Sequence, residues 1–301
     1  MKADYDVAVV GGSFAGLSAA MQLARARRRV LVIDSRAPRN RFAAHSHGFF
    51  GQDGKSPAQI VEEASAQLAA YPTARLIDGE VRAAESLGDH FVLTLRDERR
   101  FTAERLILAT GVRDALPSLP GIEERWGNSV LHCPYCHGYE VAGRALGVLA
   151  THPLSFHQAM LIPDWGPTTW FTQGIVEPNP EEIAALDARG VRIERAPVVE
   201  ILGDSPAITG LRLDDGRIVE IDALFVGTRT HMASDLASQL GCAFDEGPLG
   251  PVIRVDTWKQ TSVPGVFAAG DASNLMTNAT FASAAGVAAG VAAHRSLIFM
   301  H

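Results

Sequence analysis

The sequence predicts an α/β protein made of two Rossmann-like, dinucleotide-binding-type domains, and three observations carry that expectation. A short apolar run, Val7-Ala8-Val9-Val10, leads into a glycine-bearing turn and a helix, and a second apolar run then ends in an acid, Asp34. Another strand, turn and strand of the same plan begins at Ala145. At 301 residues the chain also exceeds the usual single core, so two domains of ordinary size are expected.

The first unit carries the fuller set of nucleotide signals. Val7 to Val10 has the unbroken apolar character of a parallel strand buried on both faces. The turn Gly11-Gly12-Ser13-Phe14-Ala15-Gly16 opens a helix expected over Leu17 to Arg27, and Val30-Leu31-Val32-Ile33 supplies the next strand. Backbone N–H groups and the dipole at such a helix start accept a pyrophosphate. Asp34, 18 positions after Gly16, stands where a ribose hydroxyl would be held. Ser13 replaces the middle glycine of the fingerprint and is small enough to permit close backbone approach. Two later strands, Leu106 to Gly111 and Val266 to Asp271, end in a tight turn and in an acid respectively, the second ahead of an Ala/Gly-rich helix.

The second unit lacks those signals. Its first strand, Ala145 to Ala150, runs into Thr151-His152-Pro153-Leu154-Ser155-Phe156, a turn without glycine. Pro153 has no backbone N–H, and Leu154 and Phe156 add bulk where a pyrophosphate needs close approach. After the strand Thr168 to Thr172, the residues Gln173-Gly174-Ile175-Val176-Glu177 offer no basic side chain for a 2′-phosphate. NADP(H) is therefore not expected as a partner.

Between the two lies Cys133-Pro134-Tyr135-Cys136, flanked by His132 and His137. Two cysteines at this spacing close a small disulfide, commonly with one thiol of lowered pKa, and neighbouring imidazoles can move the protons that thiol–disulfide exchange requires. Zinc is the competing reading of these four side chains, but a structural zinc site draws a second ligand pair from a distant segment, and the only other cysteine is Cys242. An inert structural pair is the third. Cys242 reads as a small buried hydrophobe, and Trp126, Trp165, Trp170 and Trp258 as packing residues. His45-Ser46-His47 could place two rings on one side of a strand, without enough further ligands for a metal.

Composition narrows the partners. A net charge of −7 argues against nucleic-acid binding by bulk electrostatics. The basic run Arg25 to Arg29 ends a helix, where it complements the dipole and is solvated. Hydrophobic content of 47% with 20% charge describes a soluble globular chain. The sequence enters a strand almost at once, leaving no room for a signal peptide. Ala279 to Ala293 falls short of the ~20 strongly apolar residues of a membrane span. Three cysteines, one pair of them redox-active, suit a reducing compartment, so a cytoplasmic protein is expected.

The order of these elements resembles the low-molecular-weight thioredoxin reductase family over nearly the whole length. The resemblance implies an FAD domain, residues 1–115 and 245–301, interrupted by a second nucleotide-type domain, 116–244, that carries the Cys-x-x-Cys. Leu116 to Gly121 and Gly247 to Pro251 would be the hinges. It also implies an FAD site made from Gly11, Ser13, Phe14, Ala15, Gly16 and Asp34, joined by Ser35, Arg41 and His47. Thr110 and Gly111 would run beside the cofactor. Gly270 and Asp271 would reach the ribityl chain, and Ala279 and Thr280 would open a helix aimed at the flavin. A homodimer formed through the FAD domain is implied as well.

Within that family, His132 to Glu140 and Ala44-His45-Ser46-His47-Gly48 resemble the branch of dithiol oxidases that close disulfides in small natural products such as gliotoxin, holomycin and romidepsin, the romidepsin-forming type above all. That resemblance implies a small-molecule dithiol substrate, with electrons passing through FAD to O2 to give hydrogen peroxide. Cys136 would be the flavin-proximal sulfur and Cys133 the one that substrate attacks. His137 stands where the reductases carry an acidic proton donor, and an imidazole suits the role of general base. The plainer alternative is a solvent-exposed helix histidine, and His132 is open between support and structure. Two rival functions remain: a reductase feeding thioredoxin from NADPH or ferredoxin, and a flavin redox sensor without turnover.

Overall fold

The apolar runs near the N-terminus form strands because each has two faces to bury. In the computed structural model, which describes residues 3–299, Val7 and Val9 of the strand Tyr5–Val10 point into one apolar cluster and Ala8 and Val10 into another. Four strands run parallel: Ala74–Asp78, Val30–Asp34, Tyr5–Val10 and Arg100–Leu108, in that order. The last of these has two neighbours along its far side. Its N-terminal half pairs antiparallel with Phe91–Leu95, while Leu106 to Leu108 pair in parallel with Val266–Ala268. The antiparallel strand Val81–Ser86 completes the seven-stranded sheet.

One face of this sheet is covered by the helices Phe14–Arg25, Pro57–Ala69 and Ala279–Phe299. The last helix lies close on the first. A Cβ at Gly286 would sit 2.1 Å from the Ala15 carbonyl oxygen, and one at Gly290 would sit 2.5 Å from that of Ala19. The helix runs past the expected Ala293 to Phe299, and at 21 residues and a mean hydropathy of 1.2 it is long and apolar enough to span a membrane. Its Ala/Gly face, however, is packed into the core.

The second sheet has five parallel strands in the order Arg192–Glu194, Thr168–Phe171, Leu146–Leu149, Ala223–Val226 and Val130–Leu131. A three-stranded antiparallel sheet, Val198–Leu202, Gly210–Leu213 and Ile218–Val219, joins the same unit. The helix Pro180–Ala188 begins in a capping box. Asn179 Oδ1 accepts from the Glu181 and Glu182 N–H groups, both at 2.9 Å, and the Glu182 carboxylate accepts from Asn179 N–H.

The chain divides into a first unit of Met1–Arg41, Pro57–Asp114 and Thr230–His301, and a second of Phe42–Ser56 and Ala115–Arg229. Two expectations change here. The second crossing lies at Arg229/Thr230, not at residue 245, because the Gly/Pro-rich stretch makes a hairpin inside the first unit. Phe244–Glu246 pairs antiparallel with Pro251–Ile253, and the turn between them is closed by Gly247 and Gly250. The crossing is instead made by Val112–Ala115 and Arg229–Met232, which pair as a two-stranded sheet. Phe42–Ser56 also belongs with the second unit, although its sequence neighbours lie in the first.

The basic run is not simply solvated. Arg29 makes a two-pronged ion pair with Asp6, at 2.6 and 3.0 Å, and donates to the Ala3 and Asp4 carbonyls. Cys242 is buried among apolar side chains, its thiol pushed up by desolvation and lying 3.6 Å from Thr261 Oγ1.

Candidate active site

In the first unit, strand ends and glycine turns converge at one edge of the sheet. Gly11 N–H donates to the Ile33 carbonyl, Ala109 N–H to that of Val10, and Ala269 N–H to that of Leu108, which extends the ladder into the turns. Gly11 has φ +105°, and a Cβ there would meet the Ala109 carbonyl oxygen at 2.2 Å, so only glycine fits. Gly16 is as constrained, with 1.8 Å between its notional Cβ and the Gly11 oxygen. Asp34 Oδ1 accepts from Gly12 N–H at 3.1 Å, which fixes the carboxylate beside the turn. The helix begins at Phe14, and its N-cap Ser13 makes no side-chain capping bond. An uncapped helix start, a tight glycine turn and an acid at the next strand end fit a dinucleotide.

Gly270, at φ +76°, brings the third strand end against Ala15, where a Cβ would approach the Ala15 methyl to 2.9 Å. Asp271 follows it, and meets a partner that no local signal foretold. Arg39 reaches Asp271 Oδ2 at 3.0 Å and both oxygens of Asp114, at 2.6 and 2.8 Å, with Thr277 Oγ1 at 3.2 Å. Burial works against the Arg39 charge, but the Asp114 hydrogen bond and the two carboxylates outweigh it and raise its pKa. Arg41, the arginine expected at this site, lies exposed and donates to the Pro38 carbonyl. Ser35 is exposed beyond its strand, Thr110 is half-buried, and Gly111 takes φ +69°. Ala279 opens the last helix and Thr280 is exposed on it, while Asn278 Oδ1 caps the Phe281 N–H at 2.7 Å.

The dithiol occupies a turn of the second unit. Cys133 is the N-cap of the short helix Pro134–His137, Pro134 fills its first position, and both cysteines are half-buried. Gly138 must be glycine, because a Cβ would lie 2.6 Å from the Pro134 oxygen and 2.7 Å from the Trp165 ring. Trp165 thus floors this helix, and Tyr135 meets it edge-on at 5.7 Å. That is a specific structural role that sequence reasoning left unassigned. Tyr135 and Tyr139 are themselves 73% and 84% exposed.

The histidines divide. Burial pushes the His137 imidazole below its ordinary pKa, Glu140 opposes that shift and His47 adds to it. A neutral imidazole at neutral pH is a competent base. His132 Nδ1 lies 3.3 Å from the Val226 carbonyl, and its own carbonyl accepts from Gln158 Nε2 at 3.0 Å. His47, expected among the cofactor residues of the first unit, belongs to the second. Its Nε2 lies 3.3 Å from Glu140 Oε1 and its Nδ1 3.7 Å from Asp53 Oδ2. As to zinc, among the described residues no three His, Cys, Asp or Glu side chains converge on a metal position.

The second sheet has its own switch point, between Leu146–Leu149 and Ala223–Val226, where open α/β sheets take ligands at the strand ends. Here His152 folds inward to 6% exposure. A Cβ at Gly227 would meet His152 Nε2 and Gln158 Oε1, both at 3.2 Å. Thr151 Oγ1 donates to the Gly227 carbonyl. Neither His152 ring nitrogen makes a well-formed hydrogen bond among the described residues, although the Gly227 backbone lies close enough to act on the ring. Desolvation lowers its pKa, and the Gly227 backbone opposes the shift without cancelling it.

Comparison with known proteins follows the same division. The family profile described as pyridine nucleotide-disulphide oxidoreductase matches residues 5–145 and 179–286. The skipped stretch holds the glycine-free turn and His152. Thioredoxin reductase tcpT of Claviceps purpurea (strain 20.1) is 33% identical over 304 residues, spanning 97% of this chain and 94% of that protein. An oxidoreductase from Agrobacterium tumefaciens superposes with a TM-score of 0.95 at 47% identity, over 100% of both chains. HlmI superposes with a TM-score of 0.91 at 37% identity, over 97% of this chain and 92% of that one.

Proposed function

The chain belongs to the pyridine nucleotide-disulphide oxidoreductase family, an oxidoreductase family whose fold carries a flavin, and on that premise we propose that it is an FAD-dependent dithiol oxidase. The observation that carries this reading is the pairing of a Cys-x-x-Cys helix, beside a desolvated histidine, with a second nucleotide crevice into which His152 is folded. An enzyme of this kind takes its electrons from a substrate dithiol rather than from NADP(H).

His137 removes the proton of a substrate thiol, and the thiolate attacks Cys133 Sγ of the enzyme disulfide, so that Cys136 leaves as thiolate. The second substrate thiol breaks the mixed disulfide and closes the product. Bound FAD supplies the electron sink, with O2 as the final acceptor and hydrogen peroxide as the reduced product. Gly11, Gly12 and the helix start after Ser13 would hold the pyrophosphate, and Asp34 the ribose. The substrate in this reading is a small-molecule dithiol, and the enzyme is a cytoplasmic homodimer that works apart from membranes and nucleic acid.

Anaerobic mixing tests the proposal. Dithiothreitol should bleach the flavin band of the purified yellow protein and NADPH should leave it unchanged, with peroxide appearing once air is admitted. Rapid bleaching by NADPH would overturn it in favour of a reductase, the reading that the name of the Claviceps purpurea relative supports.

A further inference from the structure

Among the contacts that hold Phe42–Ser56 to the second unit is a histidine placed between two carboxylates, one on the segment itself and one beyond it. The segment closes on itself, with Ser46 N–H donating to the Lys55 carbonyl at 2.7 Å and Gly54 N–H to that of Ser46 at 2.9 Å. Asp53 accepts from Gly48 N–H at 2.8 Å and faces His47 Nδ1. The other ring nitrogen faces Glu140 at 3.3 Å. Glu140 follows Cys136 by four residues and His137 by three, in the turn Tyr139–Val141 that continues the dithiol helix. No local signal ties residue 47 to residue 140, so the contact is made by the fold.

We propose that Glu140 is a positioning residue of the dithiol site: through His47 it ties the 42–56 segment to the turn that carries Cys136 and His137. The inference rests on the dithiol-oxidase reading only for its catalytic consequence. The charged and titratable groups set against His137 are Glu140 on its own turn and His47 from the segment. Those set against His47 are Glu140, Asp53, His137 and the ring of His45, whose centroid is 6.2 Å away. Glu140 therefore acts on the base in two ways. Its charge favours the protonated form of His137, and its grip on His47 keeps a second imidazole nearby.

Glu140→Gln and His47→Gln, each purified with flavin, test the tether and its consequence separately. Trypsin cleavage at Lys55 needs no turnover. Both variants should be cut about threefold faster than the wild type, as expected for losing one partly exposed ion pair. Cleavage at the wild-type rate in both would overturn the tether, whatever the protein oxidises. The second readout is anaerobic flavin reduction by dithiothreitol from pH 5.5 to 9. In Glu140→Gln the acid limb should move down by about half a pH unit, because His137 loses the anion that favours its protonated form. Glu140→Asp should restore much of the wild-type limb. Faster cleavage with an unmoved limb would overturn the role at His137. A wild-type protein that dithiothreitol cannot reduce would sink the oxidase reading and leave the cleavage result standing.

Discussion

At the carboxyl ends of Tyr5–Val10 and Arg100–Leu108 the chain turns on glycine. At the carboxyl end of Leu146–Leu149 it turns on Thr151 to Pro153 and folds a histidine inward, against the Gly227 that follows Ala223–Val226. Both places are switch points of a parallel sheet, the position at which such sheets take ligands. In the first, the tightest approaches, at Gly11 and Gly16, are to backbone oxygens, and Asp34 sets its carboxylate beside the turn. In the second, side chains occupy the approach, and buried nitrogens of His152 make no well-formed hydrogen bond among the described residues. On the reading proposed above, the lesson is that one architecture can be kept for its packing without the turn that would bind a dinucleotide, since the apolar runs that build the sheet are separate in sequence from that turn.

The strongest way to break this contrast is at the dithiol. Cys133→Ser and Cys136→Ser should each abolish dithiol oxidation with flavin still bound, because the relay requires a disulfide that opens and re-forms. Oxygen uptake near the wild-type rate in either variant would mean that substrate reaches the flavin directly. Gly11→Val attacks the first crevice. The φ of +105° and the 2.2 Å approach to the Ala109 oxygen make the variant lose flavin and roughly 3 kcal/mol of stability. Gly227→Ala, the matching change in the second crevice, meets only side-chain ends at 3.2 Å and should keep its flavin and cost less than about 1 kcal/mol. The absorbance ratio of flavin to protein, with urea titration, reads both.

His137→Ala should lower turnover by ~10²-fold at neutral pH. Because burial lowers the His137 pKa, the wild type keeps its base neutral, and its activity, somewhat below the ordinary histidine value of about 6.5. The deficit of the variant should shrink as pH rises toward the thiol pKa of ~8.5, where hydroxide supplies the thiolate. A deficit independent of pH would make His137 a support for the turn. The smallest effect belongs to His152→Leu, which removes two buried nitrogens that make no well-formed hydrogen bond among the described residues and should raise stability by about 1 kcal/mol. The sign with pH follows from its lowered pKa. The unfolded chain takes up a proton near pH 6.5 that the folded one resists, so wild-type stability falls as pH drops through that value. Melting temperatures at pH 7.5 and 5.5 should draw together in the variant.

What could be read from the sequence was local. The four apolar runs and the glycine turn each declare themselves within ten residues, and the strands stand where they were expected, while the helix after the turn begins at Phe14 instead of Leu17. Partnerships across long separations could not be read. Arg39 gathers Asp114, Asp271 and Thr277, and His47 meets Glu140, with no periodicity or spacing that links them. Gly247 to Pro251 misled for another reason. Glycine and proline mark a change of direction, and the same residues serve a linker or a hairpin. The true crossing has strand-like residues, which carry no punctuation.

The 42–56 segment has a consequence for anyone who would move the redox module between flavoproteins. Residues 115–229 look like a cassette, bounded by two adjacent strands and ready to be transplanted in one piece. Such a chimera would leave His47 behind in the donor and give Glu140 whatever the host carries in its own loop. A faithful transplant needs two cuts more, so that the loop travels with the cassette, and a shuffled library that ignores this would be dominated by cysteines of normal geometry in a site missing its anchor.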